Sequence, residues 1–203
     1  MRAVLIALAL SAAAPCAYAQ SQNPVPVTAV APNPPTPMTG KDRIGWVVDG
    51  NASPRSLLAG FIVSGWNTGI NTPPDWGRTW SGYGKRYMAR EGDLAVSNTI
   101  EAGLGALWDE DPRYFRAAHG RLAARIGHAV RYAFVARRAD DEIPAYARYT
   151  ANVGIAFIGN AWRPPSASRA GDRTLTIAGS FVGRSLANLW EEFWPDVRAR
   201  LHH

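Results

Sequence analysis

Two glutamates are the residues best suited to chemistry, and each lies on a predicted helix. Glu101 falls in the middle of one helix, and Glu191, next to Glu192, lies near the end of the last helix. Two carboxyl groups that face each other across a cleft are the arrangement that hydrolyses glycosidic bonds. The structural alternative is an ion pair, because buried charges are normally paired and Arg184 lies on the otherwise apolar last helix. We favour a buried ion pair between Glu101 and Arg184.

Other catalytic and cofactor motifs are absent from the sequence. It contains no Gly-x-Ser-x-Gly elbow, no His-Glu-x-x-His zinc motif and no phosphate-binding glycine loop. The single cysteine, Cys16, lies in a segment that we expect to be removed. His128 has no second ligand at metal spacing on its helix. We therefore predict no metal and no cofactor, and we favour a protein without enzymatic activity.

A basic face on one predicted helix is the candidate binding surface. Over residues 121–138 apolar residues cover one side, while Arg121, Arg125 and Arg131 gather on the other. Basic amphipathic helices lie on anionic lipid, but a solvated helix of a bundle has the same pattern, and we favour the solvated face. The net charge is +6, and arginine pairs well with phosphate and carboxylate. The expected partner is anionic lipid or an envelope polymer; nucleic acid is not expected, because no recognition module is visible.

Caps and prolines delimit the helices that position these residues. Ser53 followed by Pro54 is a helix start signal, and Asp93 is a suitable N-cap for the next helix. Pro195 should stop the last helix. Residues 44–48 form either a strand or a short helix. The predicted helices cover residues 57–70, 93–108, 121–138, 145–162 and 173–194.

An aromatic stripe precedes the helix that carries Glu101. Its rings recur at intervals of four, three and four residues, which places them on one helical face. We interpret the stripe as part of the core. The alternative is an aromatic belt at the level of lipid headgroups. The rings are those of Trp76, Trp80, Tyr83 and Tyr87.

Small residues recur along the last helix. Gly179, Gly183 and Ala187 are spaced by four residues, and such a repeat lets two helices cross closely. A glycine inside a helix costs about 1 kcal/mol relative to alanine, so close packing must compensate. We predict an all-α fold, a single domain of about five closely packed helices with Gly- and Ala-rich contact faces. The same faces would also allow a homo-oligomer.

Three motifs mark the chain after residue 43. They follow the patterns WGxxWxGYxxRY from Trp76, EDPRYFR from Glu110 and EEFWPD from Glu191. In this combination the chain resembles a family of exported bacterial proteins to which no function is assigned. The resemblance implies one exported domain and carries over no activity, cofactor, partner or site.

The N-terminal residues have the composition of an export signal. Residues 1–19 contain one arginine, an apolar run too short for a membrane span and an Ala-Tyr-Ala cleavage site, so we predict a signal peptide. Residues 20–42 are rich in proline and form a disordered spacer. Residues 43–203 form the helical domain. We expect the protein in the periplasm or at the membrane surface of the cell envelope.

Three functions remain open on the sequence alone. The favoured one is a non-enzymatic envelope protein that associates with a membrane or with itself. The first alternative is a periplasmic hydrolase of cell-wall or sugar substrates that uses Glu101 and Glu191. The second is a module that binds a small apolar ligand beside aromatics such as Trp66 and Trp80.

Overall fold

The computed structural model of the chain describes residues 36–139 and 141–201. These residues form six α-helices and one two-stranded antiparallel sheet, so the all-α prediction is confirmed. The predicted signal peptide and most of the proline-rich segment lie outside the described residues. The elements are α1 (Gly40–Ala52), α2 (Pro54–Gly69), α3 (Trp80–Leu107), α4 (Leu122–Arg131), β1 (Val135–Arg138), β2 (Asp141–Pro144), α5 (Tyr146–Ile158) and α6 (Ala170–Leu201).

Residues 44–48, for which strand and helix were both open, belong to α1. Thr39 caps this helix, because its hydroxyl accepts a hydrogen bond from the amide of Asp42 at 3.2 Å. In return, the Asp42 carboxylate accepts one from the amide of Thr39 at 2.9 Å. This capping box starts α1 ahead of the predicted domain boundary at residue 43. α2 has the predicted start, with Ser53 as N-cap and Pro54 as the first helical residue.

α3 is much longer than the predicted helix over residues 93–108. Thr79 caps it, so α3 also contains the aromatic segment that begins at Trp80. The prediction that Asp93 is an N-cap is therefore wrong. Asp93 lies inside α3, and its carboxylate accepts hydrogen bonds from Trp162 at 3.0 Å and from Arg163. The acid binds a neighbouring segment instead of the amides of its own helix.

The last helix continues through a proline, so the predicted end before Pro195 is wrong. α6 extends to Leu201 with Pro195 inside it. A proline disrupts the carbonyl hydrogen bonds of the preceding helical turn. The carbonyl that Pro195 leaves without its amide donor is that of Glu191. In the same turn the carbonyl of Glu192 accepts hydrogen bonds from Arg116 at 2.7 Å and from Arg125 at 2.9 Å.

The predicted helix over residues 121–138 is also divided. α4 ends at Arg131, and a β-hairpin of β1 and β2 follows. The backbone carbonyls of Tyr132 and Ala133 accept hydrogen bonds from the Arg148 guanidinium at 2.8 Å and 3.0 Å. In a continuing helix those carbonyls would accept amides of the next turn. The buried arginine takes them instead, and the chain turns into the hairpin.

The other helices pack along α3 and α6. α3 contacts α1, α2 and α5, and α6 contacts α4 and α5. α1 and α2 run antiparallel to α3, because Arg43 of α1 donates to the carbonyl of Ala102 and Tyr83 of α3 reaches the carbonyl of Phe61 in α2.

The bundle has two ends, which we call the Asp75 end and the Asp196 end. The Asp75 end contains the α2–α3 turn and the α5–α6 connection, and Ser166 donates to the Asp75 carboxylate across it. The Asp196 end contains the start of α1, residues 109–121 and the last turns of α6. Arg116 donates to Asp196 there at 3.1 Å.

The small residues of the last helix are turned toward the bundle. Gly179 and Gly183 are buried, and Ala187 is half-buried. In α2, Gly60 has the closest neighbours: a Cβ added there would lie 2.6 Å from Nη1 of Arg90 in α3. The close contact at Gly60 belongs to α2, whereas the role of Gly179, Gly183 and Ala187 as helix contacts stays a prediction.

Gly60→Leu should lower the free energy of unfolding by about 1 to 3 kcal/mol, because the added side chain meets α3 in a filled contact. Gly65→Leu is the matched control in the same helix. The nearest atom to a Cβ at Gly65 is 4.0 Å away, so this change should leave stability equal or raise it by up to about 1 kcal/mol. Thermal unfolding followed by circular dichroism measures both. Equal midpoints for the two variants would show that the Gly60 contact does not hold α2 against α3.

Candidate functional site

The distribution of polar and apolar side chains is the most informative feature of the bundle. Among the described residues, the buried apolar set contains only four side chains larger than alanine, whereas 26 large apolar side chains are exposed. The buried set also includes six arginine and glutamate side chains of α3, α5 and α6. Burying polar groups and exposing large apolar ones is the reverse of an ordinary soluble domain. The buried charged residues of these helices are Arg86, Arg90, Asp93, Glu101, Arg148, Arg184 and Glu192.

Glu101 is the centre of the buried charge network. Its Oε1 accepts hydrogen bonds from Arg148 Nε at 2.9 Å and from Arg184 Nη2 at 3.1 Å. All three side chains are at most 2 % exposed. Burial, together with the neighbouring charge of Arg148, lowers the pKa of Arg184 to about 9. The structure thus brings Glu101 and Arg184 together as an ion pair and adds Arg148, which the sequence did not indicate.

Glu191 is held apart from this centre by a different cation. Its carboxylate accepts a hydrogen bond from Arg55 of α2 at 3.1 Å. Burial raises the pKa of Glu191 to about 7, and Arg55 opposes the shift. Because Glu101 and Glu191 each bind arginine, the two carboxyl groups do not form the free acid and base pair that glycoside hydrolysis requires. The hydrolase alternative gains no support from this geometry.

Glu192 is the residue that holds the loop of residues 109–121 against α6. Its carboxylate is fully buried and accepts hydrogen bonds from Tyr114 Oη at 2.9 Å and from Arg125 Nε at 2.6 Å. The amides of Ala117 and Ala118 donate to it as well, at 3.0 Å and 3.1 Å. Burial and the Glu192 carboxylate raise the pKa of Tyr114, which keeps its hydroxyl a donor. The EDPRYFR and EEFWPD motifs therefore meet in one contact.

The motif that begins at Trp76 lies at the opposite end of the bundle, the Asp75 end. Arg86, 2 % exposed, donates to the carbonyls of Thr72 and Pro73, both at 2.7 Å, and of Gly77 at 2.8 Å. A Cβ at Gly82 would lie 2.1 Å from the carbonyl of Trp76, so only glycine fits. This motif therefore closes the α2–α3 turn.

The predicted basic face is only partly available for binding. Arg121 is exposed just before α4. Arg125 is bound to Glu192 and, at 2.6 Å, to Asp196. Arg131 pairs with Glu142 of β2 at 2.5 Å. Arg121 is therefore available to bind an anionic surface, whereas Arg125 is occupied by its contact with Glu192.

Several residues of the buried network are absent from the sequence-based site. One signal was present: Arg86, Arg90, Asp93 and Glu101 recur at intervals that place them on one side of α3. Such a stripe is ordinarily taken as the solvated face. Here it is the buried one. Glu110 is also buried; its carboxylate accepts the amide of Ala147 at 3.0 Å, which holds the start of α5.

The exposed apolar side chains form what we call the apolar exterior. They occur on every helix, so they do not form one compact patch. A shallow cleft of about 340 Å³ lies along the C-terminal half of α6, and only apolar residues line it. The aromatics proposed for a ligand pocket are outside it: Trp66 and Trp80 are exposed on α2 and α3. The apolar exterior consists of Ile44, Val48, Leu57, Leu58, Phe61, Ile62, Trp66, Trp80, Met88, Leu107, Trp108, Leu122, Ile126, Val130, Phe134, Tyr146, Val153, Phe157, Ile158, Leu175, Val182, Leu186, Trp190, Trp194, Val197 and Leu201.

Comparisons with known proteins add no identity. No protein-family model, curated protein or solved structure matches the chain. Within the part of the chain that the structure describes, no helix combines the length and apolar composition needed to cross a membrane by itself. The same residues contain no cluster of three or more His, Cys, Asp or Glu side chains suited to a metal ion.

Glu192→Gln should lower the free energy of unfolding by about 3 to 5 kcal/mol, because Arg125 and the loop amides would lose a buried charged acceptor. Asp196→Asn is the matched control, since Asp196 also binds Arg125 but its side chain is 41 % exposed. Exposed pairs contribute at most about 1 kcal/mol. Chemical unfolding measures both variants, and an equally small loss for each would contradict the central role of Glu192.

The stability of the protein should depend on the protonation of Glu191. Its pKa is raised in the folded chain, so the folded state holds this proton more tightly than the unfolded chain does. The stability that this proton contributes is fully present at a pH below the ordinary pKa of 4.5 and is lost as the pH rises through about 7. Glu191→Gln removes it. The unfolding midpoint of the wild type should therefore fall relative to that of the variant across this range, and parallel pH profiles would contradict the assignment.

Proposed function

We propose that the chain is an exported, non-enzymatic protein of the cell envelope that associates with a membrane through its apolar exterior. The observation that carries the proposal is the inverted distribution of side chains, with charges inside and large apolar groups outside. Exposed apolar surfaces far larger than a few hundred Å² mark sites of contact with a protein or a membrane. The family resemblance and the predicted signal peptide support export and add no activity.

The buried charges fit the same proposal. Ionisable residues in a membrane environment face the interior of a bundle and pair with one another. Glu101 and Glu192 each bind arginine inside the bundle. Polar side chains that join helices, and small residues at helix contacts, are the means by which helices associate in lipid. Both features support a bundle whose outside is covered by apolar material.

Self-association is the second form of the proposal, and the cleft on α6 favours it. Trp190 and Trp194 stack there with ring centroids 4.6 Å apart, and both are exposed. A second copy could bury these rings. Such a contact would cover one side of the bundle and leave the apolar side chains of α2 and α5 to the membrane.

Vesicle flotation tests membrane association. The chain should float with vesicles of phosphatidylglycerol and phosphatidylethanolamine at low and at high salt, because apolar contact is not screened as surface charge is. Leu186→Asp, on exposed α6, should lower the ratio of bound to free protein about tenfold or more, since a charge in lipid costs about 2.5 kcal/mol or more and 1.4 kcal/mol is a factor of ten.

Arg198→Asp is the control for a new acid at the end of the same helix, where Arg198 is already exposed and charged. This variant should float like the wild type or nearly so. Circular dichroism confirms that both variants keep their helices. If the wild-type chain stays in the soluble fraction of the envelope and does not float at any salt concentration, membrane association is wrong.

A further inference from the structure

We infer that the occupant of the apolar exterior is the acyl-chain region of a membrane, which surrounds the bundle on several sides between its two ends. This inference rests on the proposed function and goes further, because contact at one membrane surface would require only one apolar side. A bundle surrounded by acyl chains requires an uncharged band on several helices, with charges confined to the ends.

Such a band is present on α1, α2, α3, α5 and α6. No exposed residue within residues 44–69, 88–107, 146–158 or 174–194 carries a formal charge. The charged residues inside these ranges are buried or half-buried. Arg148 and Arg184, for example, point at Glu101. The band of the assembled bundle therefore has no fully exposed charge, although each helix keeps a polar side within; the most exposed ion-paired cation in it, Arg55 at 33 %, is bound to Glu191.

The length of the band matches a bilayer interior. Residues 174–194 of α6 and residues 88–107 of α3 each extend about 30 Å at about 1.5 Å per residue. The hydrocarbon core of a bilayer is also about 30 Å thick. The two helices run in the same direction, because Asp93 of α3 binds Trp162 just before α6, and Glu101 binds Arg184 further along both. Their bands therefore cover the same levels of the bundle, on two helices that both pack against α5.

Charged and aromatic residues occupy both ends of the band. The Asp75 end has exposed Arg78, Lys85 and Arg169, and the Asp196 end has exposed Lys41, Arg121, Arg198 and Arg200. Exposed tryptophans lie at the same levels, Trp80 at the first end and Trp108 and Trp194 at the second. Cations and tryptophans at both limits of an apolar band are typical of the two headgroup levels of a membrane.

The charged β-hairpin lies at the Asp196 end, because Arg138 donates to the carbonyl of Trp108 at 2.9 Å and Arg137 pairs with Asp111 in a β-bridge. The hairpin next to α4 exposes Arg138, Asp141 and Glu142, and Arg131 pairs with Glu142. α4 itself exposes apolar side chains such as Ile126. Because the uncharged band covers helices on more than one side, a twofold contact with a second copy, which uses one patch per chain, would leave much of the band uncovered.

Site-directed fluorescence tests this arrangement. In a Cys16→Ser background, single cysteines replace Ile62 on α2, Val153 on α5 and Val182 on α6, and Arg200→Cys is the control at the Asp196 end. Each carries an environment-sensitive fluorophore in vesicles of phosphatidylglycerol and phosphatidylethanolamine. A lipid with a nitroxide near its chain end quenches labels in the hydrocarbon, and iodide quenches labels in water. The three band labels should be quenched by the lipid at least twofold more than the control, and the control more by iodide.

The outcomes separate this inference from the proposed function. If the protein binds vesicles but the labels on α2 and α5 remain open to iodide, one-sided contact is shown and the inference is overturned while membrane association stands. If the labels are shielded from both quenchers, a second copy covers the band and the inference is overturned. If no vesicle binding occurs, both are wrong.

Discussion

Buried contacts between arginine and carboxylate are the constraint on which the rest of the structure depends. Glu101 joins α3 to α5 and α6 through Arg148 and Arg184, and Glu192 joins α6 to α4 and to the loop before it. A buried ion pair contributes little net stability, but the loss of one partner leaves an uncompensated charge and costs several kcal/mol. The helices must therefore take the positions that complete every pair, which favours one arrangement over other helical packings.

This arrangement explains why three motifs far apart in the chain contain so many polar residues. Arg86 closes the α2–α3 turn, while Tyr114 of the second motif meets Glu192 of the third. These polar side chains bind backbone carbonyls and amides that the loops would otherwise leave without hydrogen-bond partners.

The fold class and the start of α2 could be predicted, because a cap such as Ser53 acts locally. The start of α3 could not, since Asp93 has the residue type of a cap but lies inside the helix. Whether a given face of a helix turns toward the core or toward the outside could not be predicted. The stripe of Arg86, Arg90 and Asp93 has a clear period, but a period states which residues share a face and says nothing of what that face meets. The ends of two helices could not be predicted for a related reason. α6 continues through Pro195 in a turn where arginines from elsewhere bind the Glu192 carbonyl, and Arg148 binds the carbonyls of the two residues that follow α4. Residues distant in the sequence therefore decide where these helices end.

The alanine-rich interior has a thermodynamic consequence. The buried apolar set is mostly alanine, and the large apolar side chains are exposed while the chain is folded. The heat capacity of unfolding arises mainly from apolar surface that becomes hydrated when the chain unfolds. Here much of that surface is already outside, so unfolding in the absence of lipid exposes little more of it. The heat-capacity increment should be small for a chain of this length, and its stability should vary less steeply with temperature than that of a protein built around a core of leucine and phenylalanine.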